Sequence, residues 1–141
     1  MKKVIVSTLL IALPFLLFGQ DCKNYRKKYV PKNLEDALSY LECAWNKAEK
    51  DTFRNKDEFT ATIQLHHGYG TWLRNHWGLW RGHNQLCKYF KGFGLFHPDG
   101  MSGIILVSFH RRLNNKDIKL EEQIQTYKDF WDKAKEVEKQ K

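Results

Sequence analysis

Residues 120–137 read LEEQIQTYKDFWDKAKEV, and this stretch shows most clearly how the chain folds. Its apolar residues recur at intervals of three and four, at Leu120, Ile124, Tyr127, Trp131, Ala134 and Val137. An α-helix has about 3.6 residues per turn, so this spacing puts the apolar side chains on one stripe and the charged ones elsewhere. The stretch therefore predicts an amphipathic helix that packs on its own domain or, alternatively, pairs with a helix of a partner.

The same helical spacing continues upstream. Asn33 is suited to cap a first helix, whose stripe consists of Leu34, Leu38, Leu41, Trp45 and Ala48. A polar loop at 51–56 then separates it from a second helix at about 57–67, with Phe59, Ile63 and His66 on one side. Gly68 and Gly70 are expected to break or bend the chain before a short helix within 71–80.

Two more helices are predicted before the last one. Asn84 is suited to cap a short helix that Gly92 and Gly94 end. The next helix starts near Pro98, with Asp99 or Ser102 as the expected cap, and runs to Leu113. Its inward residues are expected to be Met101, Ile104, Ile105, Ser108 and Phe109. Since no segment alternates with period two, the sequence predicts an all-α fold, a small single-domain bundle of four to six helices.

The N-terminus has the features of a cleaved signal peptide. Lys2 and Lys3 precede an apolar run that ends at Gly19, which leaves Gln20 as the new N-terminus. We therefore expect a signal peptide at 1–19, a basic flexible leader at 20–32, a helical domain at 33–132 and a charged tail at 133–141. The predicted location is secreted or periplasmic, with no stable membrane anchor after processing, because the apolar run is shorter than the roughly 20 residues of a membrane span.

The net charge limits the classes of possible partner only partly. The formal charge is +8, and removal of Lys2 and Lys3 lowers it. An exported basic protein seldom meets nucleic acid, so an acidic polymer, an anionic lipid or an acidic protein is the more natural partner.

An oxidising compartment permits one disulfide among Cys22, Cys43 and Cys87. A Cys43–Cys87 bond would join two predicted helices and leave Cys22 as the odd thiol, but the sequence does not fix the pairing.

Two blocks in the middle of the chain carry the strongest motifs. Residues 68–80 read GYGTWLRNHWGLW, and residues 97–113 read HPDGMSGIILVSFHRRL. Both resemble the hallmark blocks of an uncharacterised bacterial family, a domain of unknown function with Gly-x-Gly-x-Trp-x-Arg-Asn-x-Trp-Gly-Leu-Trp and His-Pro-Asp-x-Met-Ser patterns. The resemblance covers about residues 29–127 and departs from the pattern at His67, His76 and Gly100. It implies membership and no activity.

The residues of these blocks suggest a binding site. Arg74 can hold a carboxylate or phosphate by two hydrogen bonds, and Asn75 adds a donor and an acceptor. Trp72, Trp77 and Trp80 offer flat faces for a sugar ring or a cation, although tryptophans in a small domain more often fill the core. The leading hypothesis is an exported binding module for a protein or an anionic or glycan ligand. The full set of candidate ligand-binding residues is His66, Trp72, Arg74, Asn75, Trp77, Trp80, His97, Asp99, His110 and Arg111.

The alternative hypothesis is a small hydrolase or a metal-dependent enzyme that uses His66, His97, Asp99 and His110. In such a site Asp99 would orient an imidazole while another histidine moves a proton. No HExxH motif, nucleophile elbow or metal-ligand spacing accompanies these residues, and Asp99 has a simpler interpretation as a helix cap. The sequence therefore predicts neither a metal site nor a cofactor.

Overall fold

In the computed structural model the described residues are 22, 25 and 28–140, and they form seven α-helices and no strand. The predicted all-α class is confirmed for these residues, while the helix count is higher than expected. The predicted signal peptide lies outside the described residues. The helices are α1 Leu34–Ala44, α2 Lys47–Arg54, α3 Glu58–His66, α4 Tyr69–His76, α5 Gln85–Gly92, α6 Pro98–Leu113 and α7 Leu120–Lys139.

The extra helix comes from a break inside the first predicted one. Trp45 ends α1 in an extended conformation, and Asn46 and Glu49 form a capping box that starts α2. The apolar period runs through this break, which is why the sequence suggested one continuous helix. The loop predicted at 51–56 is also wrong, because α2 continues to Arg54 and buries Phe53 in the core.

Helix α6 is the centre of the domain. It contacts α1, α2, α3, α4 and α7, and ten of its residues are buried. The five residues predicted to point inward, Met101, Ile104, Ile105, Ser108 and Phe109, are all buried. Because α6 is covered on nearly every side, it fixes the positions of the shorter helices around it.

The cysteines pair in a way that the sequence did not favour. Cys22 bonds to Cys43 on α1, and Cys87 is a buried thiol on α5. Tyr29 also lies against α1, where it stacks on Tyr40 and its hydroxyl donates to Asp36 at 2.6 Å. The suggested Cys43–Cys87 bond is therefore wrong.

Only the first part of α7 packs on the domain. Gln123 and Ile124 are buried and Trp131 is half-buried, whereas every residue from 132 to 140 is exposed. The apolar stripe of α7 thus continues beyond the part that packs on the other helices, and Val137 is exposed to solvent. Among residues 22, 25 and 28–140, no helix combines the length and the apolar character that a membrane crossing requires.

Candidate functional site

Arg74 is buried and its guanidinium group is occupied by other residues of the domain. Nη1 donates to Ser102 Oγ at 2.8 Å, and Nη2 donates to Thr71 Oγ1 at 2.9 Å and to the His66 carbonyl at 3.3 Å. Nε lies 3.1 Å from Asp99 Oδ1, at ion-pair distance, although its N–H is not aligned for a hydrogen bond. The group that the sequence suggested as an anion-binding fork therefore joins α3, α4 and α6.

The start of α6 is capped by His97 and not by the predicted Asp99 or Ser102. His97 Nδ1 accepts a hydrogen bond from the Asp99 amide at 3.2 Å, and Pro98 occupies the first turn. The Asp99 carboxylate does not cap the helix. It lies between Arg74 and His97, with Oδ2 3.6 Å from His97 Nδ1. Ser102 accepts from Arg74 and donates to the Asp99 carbonyl at 3.1 Å.

His66 ends α3 beside this cluster. Burial and the positive charge of Arg74 lower the pKa of His66, while the carboxylate of Asp99 acts in the opposite direction. The imidazole is therefore favoured in its neutral form near pH 7. His66, His97 and Asp99 are thus brought together at one end of α6.

His110 and Arg111 lie at the other end of α6. His110 is eleven residues from Asp99 on the same helix, which corresponds to about 16 Å along its axis. Its Nε2 lies 2.9 Å from the Lys56 carbonyl, and the ring is 2% exposed. Arg111 forms two hydrogen bonds to the carboxylate of Glu58, at 2.8 and 2.9 Å. These contacts raise the pKa of Arg111 and lower that of Glu58. His110 and Arg111 therefore do not join the cluster around Asp99.

The three candidate tryptophans occupy different environments. Trp77 is fully buried and packs edge-on against Tyr40, with ring centroids 5.5 Å apart. Trp72 lies on the surface, stacked with His76 at 4.3 Å, and Trp80 is 56% exposed. Asn75 is exposed. The core interpretation thus fits Trp77, while Trp72 and Trp80 present their rings at the surface.

One large concave surface of the domain was not predicted from the sequence. A groove of about 720 Å³ lies between α3 and α7, with α6 as its floor. Phe59 and Ile63 form the α3 wall, and Tyr127, Phe130 and Trp131 form the α7 wall. We call this surface the α3–α7 groove. Its floor consists of Gly103, Leu106 and Val107, and His66 and Asp99 also line it.

The walls of the groove expose large apolar side chains. Phe59 is 73% exposed, Ile63 54% and Phe130 58%. Phe59, Ile63 and His66 share one side of α3, as predicted, but this side faces the groove, whereas Ala61 is the residue of α3 that enters the core. The apolar periodicity thus predicted which side of α3 is apolar, but it did not predict that this side is exposed to solvent.

Gly103 lets α7 approach the groove floor closely. A Cβ atom added to Gly103 would lie only 1.9 Å from the Tyr127 hydroxyl oxygen, so the phenol ring occupies the space that any other residue would fill. Burial, assisted by the Asp99 carboxylate, raises the pKa of Tyr127. A glycine in mid-helix was the available sequence signal for this contact.

Metal ions in proteins are held mainly by histidine, cysteine and acidic side chains. Within residues 22, 25 and 28–140, no group of three or more His, Cys, Asp or Glu side chains is placed to hold a metal ion.

Fold and site together define a single all-helical domain with an apolar surface groove. Residues 30–113 match the family described as Domain of unknown function (DUF6794), and the chain belongs to that family. The predicted membership in a family of unknown function is thereby confirmed. The match covers α1 to α6, and α7 follows it. Neither a curated protein nor a solved structure matches the chain.

Proposed function

We propose that the chain is an exported binding module and that the α3–α7 groove holds a segment of a partner protein. The observation that carries this proposal is the exposure of Phe59, Ile63 and Phe130 on facing walls of one groove. Single exposed apolar residues are common on protein surfaces, but a contiguous set of them is typical of an interaction site.

The character of the groove favours a polypeptide as its ligand. Two helices form its walls and a third its floor, which suits an amphipathic helix or another segment with regularly spaced apolar side chains. Polar residues lie at both ends of the α3 wall, namely Glu58 with Arg111 and His66 with Asp99. An apolar centre with a polar rim is the usual composition of a protein interface.

A secreted or periplasmic location is part of the same proposal. The apolar run at 4–18 after two lysines is typical of a signal peptide. The Cys22–Cys43 bond supports export, because disulfides persist in oxidising compartments. We further propose that neither nucleic acid nor a retained membrane anchor takes part.

A peptide library displayed on phage, panned against the purified full chain, provides the probe. Peptides recovered on the wild type are titrated by calorimetry into a Phe59→Ala/Ile63→Ala variant. Burial of each such side chain contributes roughly 1.5–3 kcal/mol, so binding should weaken about a hundredfold or more. Phe93→Ala is the matched control, because Phe93 is also exposed but does not line the groove.

The outcomes separate the proposal from its failure. Loss of affinity in the double variant, with Phe93→Ala unchanged, supports the groove as the site. Equal affinity of the double variant and the wild type for every recovered peptide would overturn it.

The alternative is a small hydrolase or a metal-dependent enzyme, and the placing of His66, His97 and Asp99 near one another at the start of α6 is the observation that favours it. It would have to work with His66, His97 and Asp99, because His110 is held at the other end of α6. It predicts turnover of an ester or phosphoester, or stoichiometric metal, that disappears in His66→Ala. A His66→Ala variant with unchanged turnover would exclude it.

A further inference from the structure

Another concave surface of the domain adjoins the α3–α7 groove at Trp131. It is a cleft of about 450 Å³ between residues 94–97 and α7. Its lining from α7 comprises Lys128, Trp131, Asp132 and Lys135. We call this surface the Lys128 cleft. It shares Trp131 with the α3–α7 groove and no other residue.

Aromatic rings form one side of the Lys128 cleft. His97 stacks on Trp131 with ring centroids 3.8 Å apart and planes at 27°, which holds both rings in place. Phe96 is 67% exposed beside them and presents an open face. The exposed ring of Phe96, next to this stacked pair, is suited to the flat C–H face of a sugar.

Two lysines make the cleft positive. Lys128 is half-buried, and among the described residues no carboxylate lies within ion-pair distance of its ammonium group. Lys135 lies 3.7 Å from Asp132, but both side chains are about 70% exposed, so this pair contributes little and can open. The cleft therefore offers two cations against one carboxylate.

The loop that faces Lys128 is shaped by Gly94. Its φ of +81° is in the left-handed region, and an added Cβ would lie 3.2 Å from Lys128 Nζ. The absence of a side chain here lets the ammonium group of Lys128 lie close to the backbone of the loop. Any larger residue would strain the turn and displace the ammonium group.

We propose that the Lys128 cleft binds an acidic sugar unit. The ring lies against Phe96, and the carboxylate of the sugar accepts hydrogen bonds from Lys128 and Lys135. This site is independent of the proposed peptide groove, since Phe96 and both lysines line the cleft alone. The combination of an exposed ring with an unpaired, half-buried cation distinguishes it from an ordinary basic surface.

The test is calorimetry on the purified full chain with a trisaccharide of uronic acids and a neutral trisaccharide of the same size. The acidic sugar should bind, more weakly at higher ionic strength, and the neutral sugar should not. Lys128→Gln should weaken binding about tenfold or more, while Lys128→Arg keeps most of it. Lys133→Gln is the matched control, because Lys133 is exposed on the same helix and does not line the cleft.

Each result either supports or overturns the site. Binding that is lost in Lys128→Gln and in Phe96→Ala, but kept in Lys133→Gln, supports it. No binding of the acidic trisaccharide, equal binding of the neutral one, or equal loss in Lys133→Gln would overturn it. Phe59→Ala/Ile63→Ala should leave sugar binding unchanged, so failure of the cleft and failure of the groove are distinguishable.

Discussion

Replacement of Arg74 by alanine removes the side chain that joins three helices. The guanidinium group donates to Ser102, Thr71 and the His66 carbonyl and forms an ion pair with Asp99. In the alanine variant Ser102 stays fully buried without this partner, and the Asp99 carboxylate loses its nearest cation. The buried Ser102 hydroxyl thus loses one hydrogen bond, and the Asp99 carboxylate is left without its compensating positive charge.

The size of the effect follows from these contacts. Removal of one partner of a buried ion pair typically costs about 3–5 kcal/mol. Asp99 is 32% exposed, so water recovers part of its interaction, and the lower end, about 3 kcal/mol, is expected. For a domain of this size such a loss lowers the midpoint of thermal unfolding by roughly 10–20 °C.

Thermal unfolding followed by far-ultraviolet circular dichroism measures this change directly. Arg81→Ala is the control, because Arg81 is exposed, and it should stay within about 0.5 kcal/mol of the wild type. If Arg74→Ala keeps the wild-type midpoint and loses affinity for an anionic ligand, then the reasoning from these contacts is refuted. In that case Arg74 would have the ligand role that the sequence first suggested.

Three further predictions follow from the same structure. Gly103→Ala should lower stability by about 1–3 kcal/mol, because the new methyl group overlaps Tyr127, and the loss should shrink in a Tyr127→Ala background; chemical denaturation measures both. Reduction of Cys22–Cys43 should cost about 3 kcal/mol, seen as a lower unfolding midpoint, and an unchanged midpoint would contradict its role. The lowered pKa of His66 means that the unfolded chain binds more protons, so stability should fall as pH drops below about 6.5. His66→Gln should remove this component, and identical pH profiles of the two proteins would disprove it.

Local signals in the sequence predicted most helix starts. The caps at Asn33 and Asn84 are confirmed, because a cap depends on residues within one turn of each other. The buried face of α6 followed from its composition in the same way. The break at Trp45 was missed, since the apolar period continues across it and only the Asn46–Glu49 pair marks the new start.

Features that depend on packing between distant segments were not predictable. The Cys22–Cys43 bond requires Cys22 to lie next to α1, and no local pattern in the sequence encodes this approach. The role of Arg74 depends on Ser102 and Asp99, which are 28 residues and 25 residues further along the chain. Arg74 contacts Ser102 and Asp99 only because α4 packs on α6.

The groove illustrates the same limit. The spacing of Phe59 and Ile63 is that of a buried helix face, yet α7 does not cover them and both side chains are exposed in the groove. Periodicity identifies an apolar stripe, whereas the presence of a neighbour that buries it depends on the whole fold. The candidate binding surface therefore became visible only in three dimensions.

The most direct test of the central claim is to block the α3–α7 groove from its floor. Val107 is half-buried there, and Val107→Trp would fill the space between the walls with a large ring. Calorimetric titration with a phage-selected peptide should then show at least tenfold weaker binding, with a thermal midpoint close to that of the wild type. Unchanged affinity in Val107→Trp would contradict the proposal that a partner segment occupies this groove.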